Sequence, residues 1–160
     1  MPEFEIKKIT TQDRDWIRKF LTCHWGSHMM VSRGRLYDGS RLPGFVAVMD
    51  KKPVGLCTYH LAKDQFEITT LNSLKVNLGI GTSLLAAAIK EAKRKKCRRI
   101  WLITTNDNLH ALGFYQRRGF SFHKLYPNSI AKYRQLKPEI PFYAQNGIPI
   151  RDELELEICL

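Results

Sequence analysis

A chain of 160 residues that is 44% hydrophobic can bury one core but is short for two, so a single domain over residues 1–160 is expected. A net charge of +11 favours polyanionic ligands, nucleic acid or an acidic substrate. No run approaches the roughly 18 apolar residues of a membrane span, and the opening MPEFEIKKITTQDRDWIRKF mixes charge throughout instead of forming a leader, so a cytoplasmic protein with no membrane partner is expected.

Phe4 to Ile9 alternates as a first strand. Thr11 is a plausible N-cap for a helix from Gln12 to Cys23, with Trp16, Ile17, Phe20 and Leu21 on one stripe. Trp25 to Leu42 mixes three glycines with aromatic and basic residues, is followed at once by Pro43, and reads as a partly helical loop. Gly44 to Met49 and Pro53 to His60 form a hairpin around Asp50-Lys51-Lys52. In the next strand, Gln65 to Leu71, alternation places Gln65, Glu67, Thr69 and Leu71 on one face and Phe66, Ile68 and Thr70 on the other.

The centre of the chain is LKVNLGIGTSLLAAAIKEAKRKK, where an extended segment breaks at Gly79-Ile80-Gly81 and becomes a helix. Ile80, Leu84, Leu85, Ala88 and Ala92 recur at helical spacing. Two glycines around one apolar residue let the backbone approach a ligand, and the first free N–H groups of the helix attract phosphate. A nucleotide P-loop needs a lysine after its last glycine, yet Gly81 is followed by Thr82-Ser83. A dinucleotide fingerprint needs a third glycine where Leu84 stands. The basic run Lys90 to Arg99 either solvates the exposed helix end, where cations suit the dipole, or forms a nucleic-acid patch.

Arg98 to Phe122 reads as strand, helix and strand, with Ile100 to Thr105 extended, Asn108 to Arg118 helical under a cap from Asn106 or Asp107, and Gly119 as its left-handed stop. Tyr126 to Lys137 reads as a short helix or a helical turn, Pro138 to Pro149 as a loop, and Glu153 to Leu160 as a final strand with one acidic face. Cys23, Cys57, Cys97 and Cys159 are scattered, with no metal-ligand spacing, and read as reduced. The order of elements gives a mixed α/β fold, a mostly antiparallel sheet of about seven strands flanked by helices.

Two blocks carry a resemblance. Val76-Asn77-Leu78-Gly79-Ile80-Gly81 resembles motif A of the GCN5-related N-acetyltransferase (GNAT) family, written Q/R-x-x-G-x-G/A, with Val76 in place of the usual Arg or Gln. Asn108, Ala111, Phe114, Tyr115, Gly119 and Phe120 fit the motif B pattern N-x-x-A-x-x-F-Y-x-x-x-G-F. The resemblance implies the acyl-CoA N-acyltransferase fold, whose sheet splays between its fourth and fifth strands to admit acetyl-CoA. It implies backbone N–H groups of about Asn77 to Thr82 on the pyrophosphate, with Leu71 against the pantetheine arm. Asn108 would bond the pantetheine amides, Ala111 and Phe114 would line the channel, and Arg117 and Arg118 would either approach the 3′-phosphate or form a solvated helix end.

The implied reaction is direct acetyl transfer to a primary amine of a small molecule, a peptide N-terminus or a lysine. A backbone N–H near Leu71 would hold the oxyanion and Tyr115 would protonate the departing thiolate; packing is the plainer role for that tyrosine. Glu67, on the face assigned to Leu71, is the candidate general base, although ungapped counting from the glycines lands on Gln65. The two-residue offset keeps both side chains on one face, and a bulge could absorb part of it. A half-exposed strand glutamate without a catalytic task is the other reading. In such proteins the segment after the first helix walls the acceptor pocket, which makes His24, His28, Arg33, Arg35 and Tyr37 candidate substrate contacts. The alternative is a catalytically degenerate protein of the same fold that binds acyl-CoA or nucleic acid through its basic surface. Monomer and homodimer both remain open, the terminal strand being suited to pairing across subunits.

Overall fold

The computed structural model describes residues 3–33 and 35–160. Strand β1 is Glu5–Lys8. A single turn of 3-10 helix, Thr11–Asp13, follows, and Asp13 Oδ2 accepts from the Thr10 N–H at 2.8 Å. Thr10, one residue before the expected cap, therefore starts the helical segment. Helix α1, Arg14–Trp25, stops at Gly26, whose φ of 80° is the left-handed closure that glycine allows.

The segment read from the sequence as a partly helical loop is instead a two-stranded hairpin, β2 Met29–Ser32 and β3 Arg35–Asp38, with one 3-10 turn, Gly39–Arg41, after it. Met30 faces Tyr37 and Val31 faces Leu36 across the pair. Arg33, just after β2, takes a φ of 50°; Gly34 lies outside the described residues.

Strands β4 (Gly44–Met49) and β5 (Lys52–Ala62) form the expected hairpin, turning through Asp50 and Lys51 with both φ positive. Strand β6 is Gln65–Ser73, helix α2 Ile80–Arg94, strand β7 Arg99–Thr105 and helix α3 Leu109–Arg117. Strand β8 (Ser121–Tyr126), helix α4 (Ile130–Leu136) and strand β9 (Glu153–Cys159) complete the chain. The sheet runs β1-β4-β5-β6-β7-β9-β8, a mixed sheet of seven strands in which only β6 and β7 are parallel.

Two apolar layers sandwich the sheet. On one face α1 buries Ile17, Phe20 and Leu21 against Val46 and Leu56. On the other, α2 buries Ile80, Leu84, Leu85, Ala88 and Ala92 against Phe45, Cys57, Tyr59, Phe66 and Ile100. Gly55 sets how closely α2 approaches, since a Cβ there would lie 2.7 Å from Ile80 Cγ2 and 3.0 Å from Leu84 Cδ1. Strand β9 lies inside the sheet between β7 and β8, so its edge is not available to pair across subunits. Its acidic face is not solvated either, because Glu153 and Glu155 are buried. Among the described residues no helix is long and apolar enough to cross a membrane.

Candidate active site

Strands β6 and β7 pair only from Gln65↔Arg99 to Ile68↔Leu102. Past that point β6 stays bonded to β5 as far as Ser73↔Gly55, while β7 stays bonded to β9 as far as Thr105↔Glu153. The two halves of the sheet therefore diverge and leave a wedge. Thr69, Thr70 and Leu71 line one wall, Leu102, Ile103 and Thr104 the other, and Asn108, Ala111 and Tyr115 of α3 close the base of a cleft of about 90 Å³, with Trp25 at its rim. Backbone groups of β6 facing this wedge have no strand partner, so they are available to a ligand.

A register shift between Thr58 and Tyr59 corrects the simple alternation expected for β6. Thr70 faces Thr58 and Ile68 faces Tyr59, which leaves Thr69 as an extra residue, a bulge. Leu71 consequently packs with the α2-side cluster. Glu67 points to the opposite face, where Ser32 of the β2–β3 hairpin donates its hydroxyl proton to Oε1. The two residues are thus on different faces of one strand, on either side of the bulge at which the wedge opens.

Glu67 is buried, and burial pushes its carboxyl above the ordinary glutamate range; the Ser32 hydrogen bond and the charges of His60, Arg35 and Arg33 offset part of that rise. Tyr37 lies close enough that burial and the Glu67 charge both push its phenol well above the usual value. Tyr115 is 7% exposed, packed edge-on against Phe114 and Phe120, and burial raises its phenol far above the usual range. Its hydroxyl therefore resists ionisation.

The glycine turn stands at the neighbouring end of α2. Asn77 and Gly79 take φ values of 61° and 77°, and the first helical bond runs from Ser83 N to Gly79 O at 2.9 Å. The N–H groups of Ile80, Gly81 and Thr82 precede that bond, and no acidic residue occupies the first turn. A Cβ on Gly81 would meet the Phe114 ring at 3.5 Å, so the turn abuts α3 one residue before Tyr115. Leu78 anchors it to the core, while Val76 is 82% exposed. Asn108, which lines the cleft, is itself the cap of α3, in place of Asn106 or Asp107: its Oδ1 accepts from Ala111 N at 3.2 Å.

The hairpin residues divide. Arg33 is committed to the fold, its Nη2 lying 2.7 Å from Glu155 Oε1 and its guanidinium 4.1 Å above the Trp101 ring. Arg35 approaches His60 Nδ1 at 3.4 Å. His28 holds the hairpin's base through its carbonyl, which accepts from Gly39 N, and His24 is bonded to Phe20 O and stacked on that ring. Sequence reasoning missed Ser32, which only the hairpin brings to Glu67. It also missed the contact of Arg118 with Thr82.

The model of the Acetyltransferase (GNAT) family matches residues 13–120. The uncharacterized protein YdhI of Bacillus subtilis (strain 168) is 43% identical over 155 residues, covering 96% of this chain and 93% of that one. Among solved structures, an IAA acetyltransferase from Bacillus cereus ATCC 14579 superposes with a TM-score of 0.78 at 22% identity, over 99% of this chain and 100% of that one. A GNAT family acetyltransferase from Elizabethkingia anophelis with acetyl-CoA bound superposes with a TM-score of 0.69 at 20% identity, over 98% of each chain.

Proposed function

Because the chain belongs to the GNAT family of acetyltransferases, we propose that residues 1–160 form one N-acetyltransferase domain that transfers acetyl from acetyl-CoA directly to a primary amine. The acceptor is a small molecule, a peptide N-terminus or a lysine side chain. The observation that carries this reading is the wedge between β6 and β7, which has a glycine turn on one side, a buried phenol on its wall and a buried carboxyl just before it opens.

The residues present fit acetyl-CoA. The start of α2, with no acidic residue in its first turn, suits the pyrophosphate, and the unpaired edge of β6 from Thr69 to Leu71 suits the pantetheine amides, as does the Asn108 amide nitrogen. When bound, acetyl-CoA supplies an activated acyl thioester. The free N–H groups of β6 near Leu71 then donate to the acyl oxygen as it gains negative charge. Glu67, its carboxyl raised by burial, takes a proton from the acceptor ammonium, directly or through water, so that a neutral amine attacks. Tyr115 O–H would give its proton to the departing thiolate and recover one, directly or through water, from the attacking nitrogen, which sheds its second proton on becoming an amide. No cysteine lies in the cleft lining, which agrees with transfer inside a ternary complex without an acyl-enzyme.

Tyr115→Phe tests the assignment. It should leave acetyl-CoA affinity within about twofold of native, because the ring packing is kept, and lower the rate of thiol release with an amine panel by roughly a hundredfold. Undiminished turnover, or a loss located wholly in binding, would remove Tyr115 from the chemistry.

A further inference from the structure

The motif A pattern carries Arg or Gln where this chain has Val76, an exposed side chain without a polar atom. A guanidinium nevertheless reaches the turn from elsewhere. Arg118 folds back from the end of α3 so that Nε and Nη2 lie 3.1 and 2.7 Å from Thr82 Oγ1, while Nη1 donates to Phe114 O at 3.0 Å. Its plane rests 3.7 Å from the centroid of the Phe114 ring, the same ring that abuts Gly81. Arg117 does not share this role, since its Nη1 folds back along α3 beside Gly113.

This placement is electrostatically unfavourable without an anion. Cations are stabilised at helix C-termini and disfavoured at N-termini, where the free N–H groups already present positive charge. Arg118 nevertheless contacts the third residue of α2, and among the described residues it pairs with no carboxylate. Its three contacts are to neutral acceptors and leave one N–H on each terminal nitrogen, the fork that binds two oxygens of one phosphate.

We propose that Arg118 supplies the side-chain grip on the cofactor's pyrophosphate that Val76 cannot, with Thr82 and Phe114 holding the guanidinium in place. The proposal rests on the acetyl-CoA reading above. It makes Arg118 a binding residue for the bridging phosphates rather than for the 3′-phosphate.

Calorimetry with three probes separates the possibilities: CoA, 3′-dephospho-CoA and S-acetylpantetheine, each titrated into native protein, Arg118→Ala, Arg118→Gln and the double variant Val76→Arg/Arg118→Ala. Arg118→Gln keeps a polar contact to Thr82 while removing the charge, so it guards against simple misfolding, and circular dichroism verifies each variant. Removing the charge should weaken CoA and 3′-dephospho-CoA alike by roughly tenfold and leave S-acetylpantetheine unchanged. Val76→Arg should restore most of the loss. Equal CoA affinity in native and Arg118→Gln would overturn the proposal, and so would a loss for CoA that 3′-dephospho-CoA does not show. Failure of the native protein to bind CoA at all would instead overturn the acetyl-CoA reading and this inference with it.

Discussion

At the scale of single residues, the proposed chemistry depends on how Glu67 is balanced. Burial raises its carboxyl, and the Ser32 hydroxyl, donating to Oε1, opposes that rise by favouring the ionised form. Ser32→Ala removes the donor and leaves burial less opposed, so the carboxyl titrates higher. Since the base must be ionised to act, the acidic limb of kcat/KM should move to higher pH, with the alkaline limb unchanged. The profile is measured by thiol release under saturating acetyl-CoA. An unmoved acidic limb would mean that Glu67 is not the titrating base. Glu67 was legible in the sequence as a strand glutamate near the glycine turn, but its face relative to Leu71 was not. Alternation assumes a regular ladder, and the extra residue at Thr69 reverses every side chain after it.

At the scale of elements, the β2–β3 hairpin supplies what the sheet alone lacks. It contributes Ser32 and Tyr37 to the surroundings of Glu67 and is fastened to the far half of the sheet through Arg33. Its anchor, Glu155, is fully buried and accepts from Arg33, Arg99 and the Tyr126 hydroxyl. Burial would raise that carboxyl, but these donors outweigh it and hold it below the ordinary range. The stability it contributes is therefore present above the unfolded glutamate pKa and lost as pH falls through the lowered folded value. Glu155→Gln should cost about 3 kcal/mol in urea unfolding at neutral pH, the lower end for a broken buried pair because Arg33 is half exposed. It should also flatten the acid side of the stability profile. A change under 0.5 kcal/mol, on the order of an exposed pair, would show that the hairpin is fastened by other contacts. The hairpin was not legible, because its strands are four residues each and the glycines scattered through this stretch of the sequence signal a loop. The acidic stripe of β9 was legible as alternation, but its burial depends on arginines distant in the chain.

At the scale of the whole molecule, the order of elements along the chain was legible from alternation and turn chemistry apart from the β2–β3 hairpin, the place of β9 between β7 and β8 was not, and the open seam between β6 and β7 was expected only through the family resemblance. Periodicity locates strands; it does not say where two of them part. The net charge of +11 suits a polyanionic donor, and steering by that field should be weakened by salt. Acetyl transfer in the seam is the central proposal. Calorimetric titration of acetyl-CoA into the native protein and Gly81→Glu tests it most directly. The new side chain enters at an ordinary contact distance from Phe114, so the fold should tolerate it, yet its carboxylate would meet the pyrophosphate. The account predicts saturable binding to the native protein and its loss in Gly81→Glu, at unchanged helix content. Equal binding to both would contradict a donor site at this turn, and binding to neither would contradict an acetyl-CoA enzyme altogether.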